Sequence, residues 1–373
     1  MNPDELFCLN LECPAKGQVG QGNISVHSQK EERCRCNVCG DTFGVRKGTL
    51  FYRLRTNPEM VILVLTLLAY GCPTQAAAKA FGFDERTIRK WWVRAGRHCE
   101  SFHKYMVEEK QMDLEHVQAD EIKVKVQGGS LWMALAIMVS TRLWLSGEVS
   151  AKRDKRLIQR LADKIKGMAL CRPLLLAVDG LASYPGAFRR AFRSKMPRFG
   201  QLGRPQFVSW PDIAIVQVVK QRACADWRVD RRIWQGSQQM VDQLRLRTQG
   251  RLGTINTAYI ERLNATFRQR LHWLSRRSRS LAQQPQTLIA GMYIVGCFYN
   301  FCDFHKSLRL RLSVGERSFR WVHRTPAIAA HLTDHQWSAH ELFCFRVPPP
   351  RWLPPTSRGR PSLRMKQLIE HWA

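Results

Sequence analysis

The stretch LLLAVDG at residues 174–180 decides how this chain folds. Its five consecutive apolar side chains, without polar alternation, predict a strand that is buried on both faces. The run ends at Asp179, which glycine follows. Because α/β sheets place functional groups beyond the carboxyl ends of their strands, we interpret Asp179 as a functional carboxylate.

A second carboxylate lies on another predicted strand. In His116–Val126 apolar and polar residues alternate, as in a strand with one buried face. Asp120 lies an even number of residues from Ile122, Val124 and Val126, so its side chain is predicted to point to the same face as theirs. Glu121 takes the other face, together with the lysines of this stretch. A carboxylate on the core side of a strand is costly unless it is paired or bound to a cation. Asp120 is therefore a candidate ligand.

The third candidate is Glu261, in a segment (256–274) that we predict to be helical. Apolar residues recur there at helical spacing, at Ile260, Leu263, Phe267 and Leu271. Glu261 shares a different face with Asn264 and Arg268. Three carboxylates suit one or two Mg²⁺ (or Mn²⁺) ions better than zinc or copper. The alternative is that each acid is a structural ion pair with one of the many arginines.

The charge balance indicates a polyanionic partner. The 373 residues include 59 Lys and Arg against 30 Asp and Glu, a net charge of +29 that is spread along the chain. Nucleic acid is the partner that this balance predicts, and double-stranded DNA is the form that the helix-turn-helix described below would bind. A generally basic housekeeping protein is the alternative.

We expect no membrane association. The apolar run at 60–69 is about half of the roughly 20 residues that span a bilayer, and the N-terminus lacks the regions of a signal peptide. We therefore expect a cytoplasmic, nucleoid-associated protein, in a reducing compartment where the 12 cysteines do not form a disulfide framework.

Five cysteines fall within the first 39 residues, and their spacing predicts a zinc ribbon. Cys8-x4-Cys13 and Cys36-x2-Cys39 resemble two knuckles separated by a polar, Gly-rich span. Four thiolates would bind a structural Zn²⁺ and hold together a module that is too small for its own core. Cys34 could replace Cys36 in the second pair.

The sequence of residues 57–97 predicts three helices, and the residues between them are typical of a helix-turn-helix. Gly71-Cys72-Pro73 separates the first two, the second ends at Gly82, and Asp84 caps the third. The outer surface of the third helix is basic, which suits a recognition helix in the major groove. The residues that we assign to DNA binding are Arg86, Arg89, Lys90 and Arg94. A solvated basic face on a helical bundle is the alternative.

Downstream, the predicted elements are three strands, a helix, a strand, a helix, a strand and a helix. The strands are at His116–Val126, 131–139, 143–149, 174–179 and 213–219. This order predicts a mixed sheet with helices packed on it, in the ribonuclease-H-like arrangement, with the first two acids on neighbouring strands. The fold class that we predict is multidomain α+β: a zinc ribbon, a helical helix-turn-helix domain and a ribonuclease-H-like mixed α/β domain.

Taken together, these features resemble a bacterial insertion-sequence transposase of the DDE superfamily. Short sequence motifs agree with this resemblance. They are Asp120-Glu121 followed by Trp132, Glu261-Arg262-Leu263-Asn264, and Tyr299-Asn300 with the later 305–308 (HKSL). The likeness covers about residues 8–310. Asp179 and Glu261 lie farther apart than in many members, which an insertion near 221–253 would explain.

The resemblance implies two-metal phosphoryl transfer on DNA. Asp120 and Asp179 would share two Mg²⁺ or Mn²⁺ ions, and Glu261 would complete the second site. It also implies that the protein works as a homo-oligomer on paired element ends and target DNA. The competing interpretations are a non-catalytic regulator, an inactive transposase relic and a structure-specific nuclease.

Two further basic runs are candidate DNA contacts. Past Glu261, Arg268, Arg276 and Arg277 accompany Trp273 in a run that suits phosphate contacts and base stacking. Near the C-terminus, Arg358 and Arg360 flank a glycine, as in segments that lie along an A·T minor groove. An exposed helix end and a disordered basic linker are the respective alternatives.

The sequence thus predicts four parts. They are a zinc ribbon at 1–48, a helix-turn-helix domain at 49–112, a catalytic domain at 113–312 with an insertion near 221–253, and a basic Pro-rich tail at 313–373.

Overall fold

The structure is a computed structural model that describes residues 2–126, 128–196, 203–223, 226–249, 253–274, 284–315, 318–356 and 359–373. Three of the predicted DNA-binding residues, Arg276, Arg277 and Arg358, lie outside these ranges.

The described helices and strands have the following bounds. The strands are β1 Ile24–Ser28, β2 Arg33–Cys36, β3 Thr42–Gly44, β4 His116–Val126, β5 Gly129–Met138, β6 Trp144–Ser150, β7 Leu174–Asp179, β8 Arg193–Lys195, β9 Phe207–Ser209, β10 Ile213–Ala223, β11 Asp226–Gln235, β12 Leu310–Ser313 and β13 Phe319–Val322. The α-helices are α1 Pro58–Ala69, α2 Thr74–Phe81, α3 Glu85–His103, α4 Lys155–Met168, α5 Ser183–Ala191, α6 Gln238–Gln249, α7 Ala258–Arg270, α8 Pro285–Cys297, α9 Pro326–Ala329, α10 Ala339–Cys344 and α11 Leu363–Trp372. Among these helices, none combines the length and the apolar character that crossing a bilayer requires.

By its contacts the chain divides into two compact units. One consists of Met1–Met60 with Phe343–Ala373, and the other is Val61–Leu342. This division differs from the four predicted parts, because it joins the two ends of the chain and keeps most of the predicted helix-turn-helix with the large sheet. The four-part division by function stays a prediction.

The first unit is built around a small antiparallel sheet in the order β1-β2-β3. Its core contains the buried cysteines of the N-terminal segment together with Trp352 and Trp372 from the other end of the chain. Helix α11 contributes Leu368 and Ile369 to the same core. The C-terminal segment therefore packs as part of this unit, whereas the sequence indicated only a basic Pro-rich tail.

The second unit contains a six-stranded sheet in the order β11-β10-β7-β4-β5-β6. Strands β4, β5 and β6 are antiparallel, β7 is parallel to both β4 and β10, and β11 is antiparallel to β10. The predicted mixed α/β character is therefore confirmed. Strands β4 and β7 have the bounds that their hydrophobic patterns indicate, and β11 and α6 occupy the predicted insertion.

Helices cover both faces of this sheet. Helices α4 and α5 pack together and contact β5, β6, β7 and β10, whereas α7 contacts β4 and β5. Adjacent residues of a strand point to opposite faces. Asp120 hydrogen-bonds to α7 and Glu121 hydrogen-bonds to α5, so the two helices lie on opposite sides of β4.

Helix α3 is packed tightly against α8. The Asp84 side chain caps α3 by accepting a hydrogen bond from Arg86 N–H, as predicted. The helix continues to His103, beyond residue 97, where the predicted helix-turn-helix segment ends. At Gly96 an added Cβ would lie 2.2 Å from the Ala290 Cβ, so this approach requires glycine. The basic helix is therefore part of the larger unit rather than a separate module.

Candidate metal centre and DNA-binding residues

Two predicted carboxylates lie side by side on parallel strands. Strand β4 pairs with β7 so that Ala119 is opposite Val178, which places Asp120 next to Asp179 at the carboxyl end of β7. One carboxylate oxygen each from Asp120, Asp179 and Glu121 lie within 4.8 Å of one another. Oxygen ligands at this spacing can hold a hard divalent cation.

Asp120 accepts two short hydrogen bonds within this cluster. Its Oδ1 accepts a hydrogen bond from the Glu121 backbone N–H over 2.7 Å, and its Oδ2 accepts one from Asn264 Nδ2 over 2.7 Å. Burial, and then the neighbouring carboxylates of Asp179 and Glu121, raise the pKa of Asp120 from 3.8 to about 7. The cluster therefore carries excess negative charge that a cation would relieve.

Glu121 is a buried member of the cluster that the sequence did not single out. Its side chain is 2% exposed, accepts a hydrogen bond from Arg153 Nε over 2.7 Å and accepts another from Tyr184 Oη over 2.9 Å. Burial, and then the nearby carboxylates, raise the pKa of Tyr184 well above its ordinary value, so the phenol stays a donor. Glu121 lies on the face of β4 that parity predicts, and there Arg153 and Tyr184 contact its carboxylate.

Glu261 lies on α7 but outside the three-acid group. Its carboxylate forms an ion pair with Lys220 and accepts a hydrogen bond from Thr257 Oγ1 over 2.7 Å. Partial burial opposes the charge of Glu261, yet the hydrogen bonds from Lys220 and Thr257 lower its pKa. The assignment of Glu261 as a metal ligand stays a prediction.

Gln118 connects Glu261 to the strand of Asp120. The Gln118 Oε1 accepts hydrogen bonds from the backbone N–H groups of Tyr259 and Ile260, over 3.0 and 3.1 Å, at the start of α7. Its Nε2 donates to the Asn256 carbonyl over 2.7 Å. A buried amide therefore caps the helix that carries Glu261. The sequence feature that could have identified Gln118 is its position two residues before Asp120, which places a polar side chain on the core-facing side of the strand.

The four predicted zinc ligands converge in the first unit. One sulfur each from Cys8, Cys13, Cys36 and Cys39 lie within 4.8 Å of one another, with Cys8–Cys39 and Cys13–Cys36 Sγ separations of 3.7 and 3.8 Å. A tetrahedral site with Zn–S bonds of about 2.3 Å requires S–S separations of about 3.8 Å. The donor set therefore fits zinc.

Cys34 lies outside this four-cysteine group. It is buried, and burial raises the pKa of its thiol, an effect that the nearby Arg346 partly offsets. The structure thus brings together Cys36, rather than Cys34, with the other three cysteines.

The predicted DNA-binding residues of α3 lie on one side of the helix. Arg86, Arg89 and Lys90 are exposed, and Arg94 is half-buried, with a pKa that burial lowers. A cavity of about 550 Å³ separates this side from the start of α8; its lining residues are Arg89, Lys90, Val93, Arg94, Arg97, Gln284 and Thr287. Such a basic concavity can accept an anionic group.

The other basic candidates have different surroundings. Arg268 lies half-buried on α7, and Arg360 is exposed just before α11. Arg268 and Arg360 belong to different units of the chain.

No protein-family model matches this chain, and no curated protein matches it.

Proposed function

We propose that this chain is a DDE transposase, which cuts and joins DNA by metal-dependent phosphoryl transfer. The observation that carries this proposal is the placement of Asp120 and Asp179, side by side on parallel strands with one oxygen from each in a group spanning less than 4.8 Å. Asp120 also has its pKa raised by burial and the neighbouring acids. Perturbed carboxylates of this kind mark candidate catalytic sites.

The topology of the sheet supports the ribonuclease-H-like part of the proposal. Three antiparallel strands, β4, β5 and β6, come first along the chain, and two parallel strands, β7 and β10, follow. A helix precedes β7 and another follows it, and the first two acids lie on neighbouring strands. These features support the ribonuclease-H-like arrangement that the sequence resemblance implies.

The residues of the site suit catalysis by two divalent ions. When bound, Mg²⁺ or Mn²⁺ supplies activation of a water or DNA 3′-hydroxyl and stabilisation of the leaving oxygen. Asp120 and Asp179 would hold these ions, and Asn264 orients Asp120 through its hydrogen bond. Glu261 would join them once Lys220 released its carboxylate.

We infer that the remaining parts bind and position DNA. The four cysteines would hold a structural Zn²⁺, and the exposed basic side of α3 would contact the element ends. The net charge of +29 supports a partner rich in phosphate. Self-association on paired DNA ends and a place in the nucleoid remain part of this proposal.

A second candidate is a DNA-binding protein without catalysis, either a regulator or a transposase relic. The observation that favours it is the ion pair between Lys220 and Glu261, whose carboxylate lies outside the group formed by Asp120, Glu121 and Asp179. A lysine at this position could replace the positive charge that a metal ion would supply.

Binding of Mn²⁺ tests the proposal directly, with paramagnetic resonance as the readout. We expect saturable binding to the wild-type chain, and a loss of affinity of at least about tenfold in Asp120→Asn and Asp179→Asn. Asp163→Asn is the matched control, because Asp163 is an exposed acid on α4. Equal Mn²⁺ affinity in all four proteins would remove the metal assignment and favour the non-catalytic candidate.

A further inference from the structure

A two-stranded hairpin projects from the second unit with no covering layer in the described structure. Among the described strands, β12 and β13 pair only with each other, and all eight of their residues are exposed. The base is anchored, because His305 N–H donates to the Arg324 carbonyl over 3.1 Å and Arg324 Nε donates to the Leu308 carbonyl over 2.8 Å. We call β12, β13 and the preceding Arg309 the exposed ribbon.

One face of the exposed ribbon alternates arginine with aromatic rings. The Arg309 guanidinium lies 3.9 Å from the centroid of the Trp321 ring, and the Arg311 guanidinium lies 4.0 Å from that of Phe319. Stacking restrains each guanidinium while leaving the N–H donors at its edge free to bind. Planar donors held in this way match the oxygens of a phosphate.

The charge of the exposed ribbon has one sign. Arg320 pairs with Leu312 and extends the basic character to the second face. Within the described part of the ribbon no residue is acidic, and no described carboxylate forms an ion pair with Arg309, Arg311 or Arg320. Three exposed arginines for which the described residues supply no ion-pair partner are complementary to a polyanion.

We propose that the exposed ribbon is a second DNA-binding surface, which contacts the phosphates of a duplex through Arg309, Arg311 and Arg320. The major groove of B-form DNA admits a two-stranded β-ribbon, whereas the major groove of A-form RNA is too deep and narrow for side chains to read. This surface acts independently of the metal site, so the inference does not rest on catalysis.

A second copy of the chain fits this surface less well. The second face carries Leu310, Leu312 and Val322, which could pack on a protein. However, that face also carries Arg320, whose charge would be costly to bury between two copies of the same chain, and Arg309 and Arg311 lie on the opposite face. DNA neutralises the same charges.

Fluorescence anisotropy with a labelled DNA duplex of mixed sequence, measured without divalent cations, tests the proposal. In the variant Arg309→Ala/Arg311→Ala/Arg320→Ala we expect duplex affinity to fall by at least about tenfold, and the slope of log K against log salt to become shallower by about 2 to 3. The control variant Lys155→Ala/Arg156→Ala/Arg189→Ala removes the same charge from exposed positions on α4 and α5. It should lose less affinity.

Two further measurements complete the test. Leu310→Ser/Leu312→Ser/Val322→Ser should leave the duplex affinity within about twofold of wild type, and an RNA duplex should compete poorly. An unchanged salt slope in the arginine variant, or equal losses in both basic variants, would overturn the proposal. A different result would identify the exposed ribbon as an interface between copies of the chain. In that result the variant with three serines has a lower sedimentation coefficient than wild type, and the arginine variant binds DNA as tightly as wild type. Because no metal is added, failure of catalysis cannot produce any of these outcomes.

Discussion

The Asn264 side-chain amide donates a hydrogen bond to Asp120 Oδ2 over 2.7 Å, and this contact joins helix α7 to strand β4 at the acidic cluster. Asn264 is 1% exposed, and its own Oδ1 has no hydrogen-bond partner among the described residues. The same helix carries Glu261, so the contact aligns two of the three proposed ligands.

Replacing this amide by a carboxylate should make folding depend on a cation. We expect Asn264→Asp to lower the free energy of unfolding by about 1 to 3 kcal/mol without metal, because it adds a buried negative charge beside Asp120. Added Mn²⁺ should restore part of this loss. Asn264→Ala, which removes the same hydrogen bond without adding charge, is the matched control in thermal unfolding. Equal rescue of both variants by Mn²⁺ would contradict the proposed site.

The raised pKa of Asp120 predicts a pH dependence of stability. Between its ordinary value of 3.8 and its folded value of about 7, the folded chain holds a proton that the unfolded chain releases. Stability from this group is therefore lost as the pH rises through that window. In metal-free buffer, the stability of Asp120→Asn relative to wild type should increase by about 2 to 4 kcal/mol from pH 4 to pH 8. Parallel pH profiles from chemical denaturation would contradict the assignment.

The first unit should depend on zinc through four of its five N-terminal cysteines. Cys13→Ser should abolish stoichiometric zinc in a colorimetric release assay, whereas Cys34→Ser should retain it. Because Trp372 shares a core with the cysteines, loss of zinc should also loosen α11 and accelerate tryptic cleavage after Lys366. Zinc bound equally by both variants, or by neither, would refute the four-cysteine assignment.

The close packing of α3 on α8 can be tested with two glycines. Gly96→Ala should destabilise the chain by about 1 to 3 kcal/mol, because the new methyl group overlaps Ala290. Gly167→Ala on α4 meets nothing within 4 Å and should stabilise it by about 0.5 kcal/mol. Equal shifts in the denaturation midpoint would show that the two helices do not approach as described.

The parts of the fold that the sequence predicted are those with a strong hydrophobic period. The uninterrupted apolar run of β7 and the alternation of β4 each predict a strand, and the structure has strands with those bounds. Strand β11 was missed because, as an edge strand rich in arginine, it lacks a buried face that would leave a pattern. The packing of α11 on the cysteines was missed because only tertiary contacts link the two ends of the chain.

The candidate site was predicted less completely. Parity placed Asp120 towards the core, and the end of an apolar run marked Asp179. Glu121 had the parity of exposed lysines, and only Arg153 and Tyr184, which are distant in sequence, explain its burial. Glu261 forms its ion pair with Lys220 of β10. The helical period of α7 predicts which face Glu261 occupies, but it carries no information about a partner on a distant strand.

A comparison of DNA cleavage by wild type and by Asp179→Asn tests the central claim most directly. A labelled duplex carrying the inverted repeat that flanks the gene would be incubated with Mg²⁺ or Mn²⁺ and either wild type or Asp179→Asn, with binding measured on the same samples. The proposal predicts that both proteins bind the repeat and that only wild type cuts at its boundary. Binding without cutting by either protein, or equal cutting by both, would contradict the assignment of Asp179 as a catalytic metal ligand.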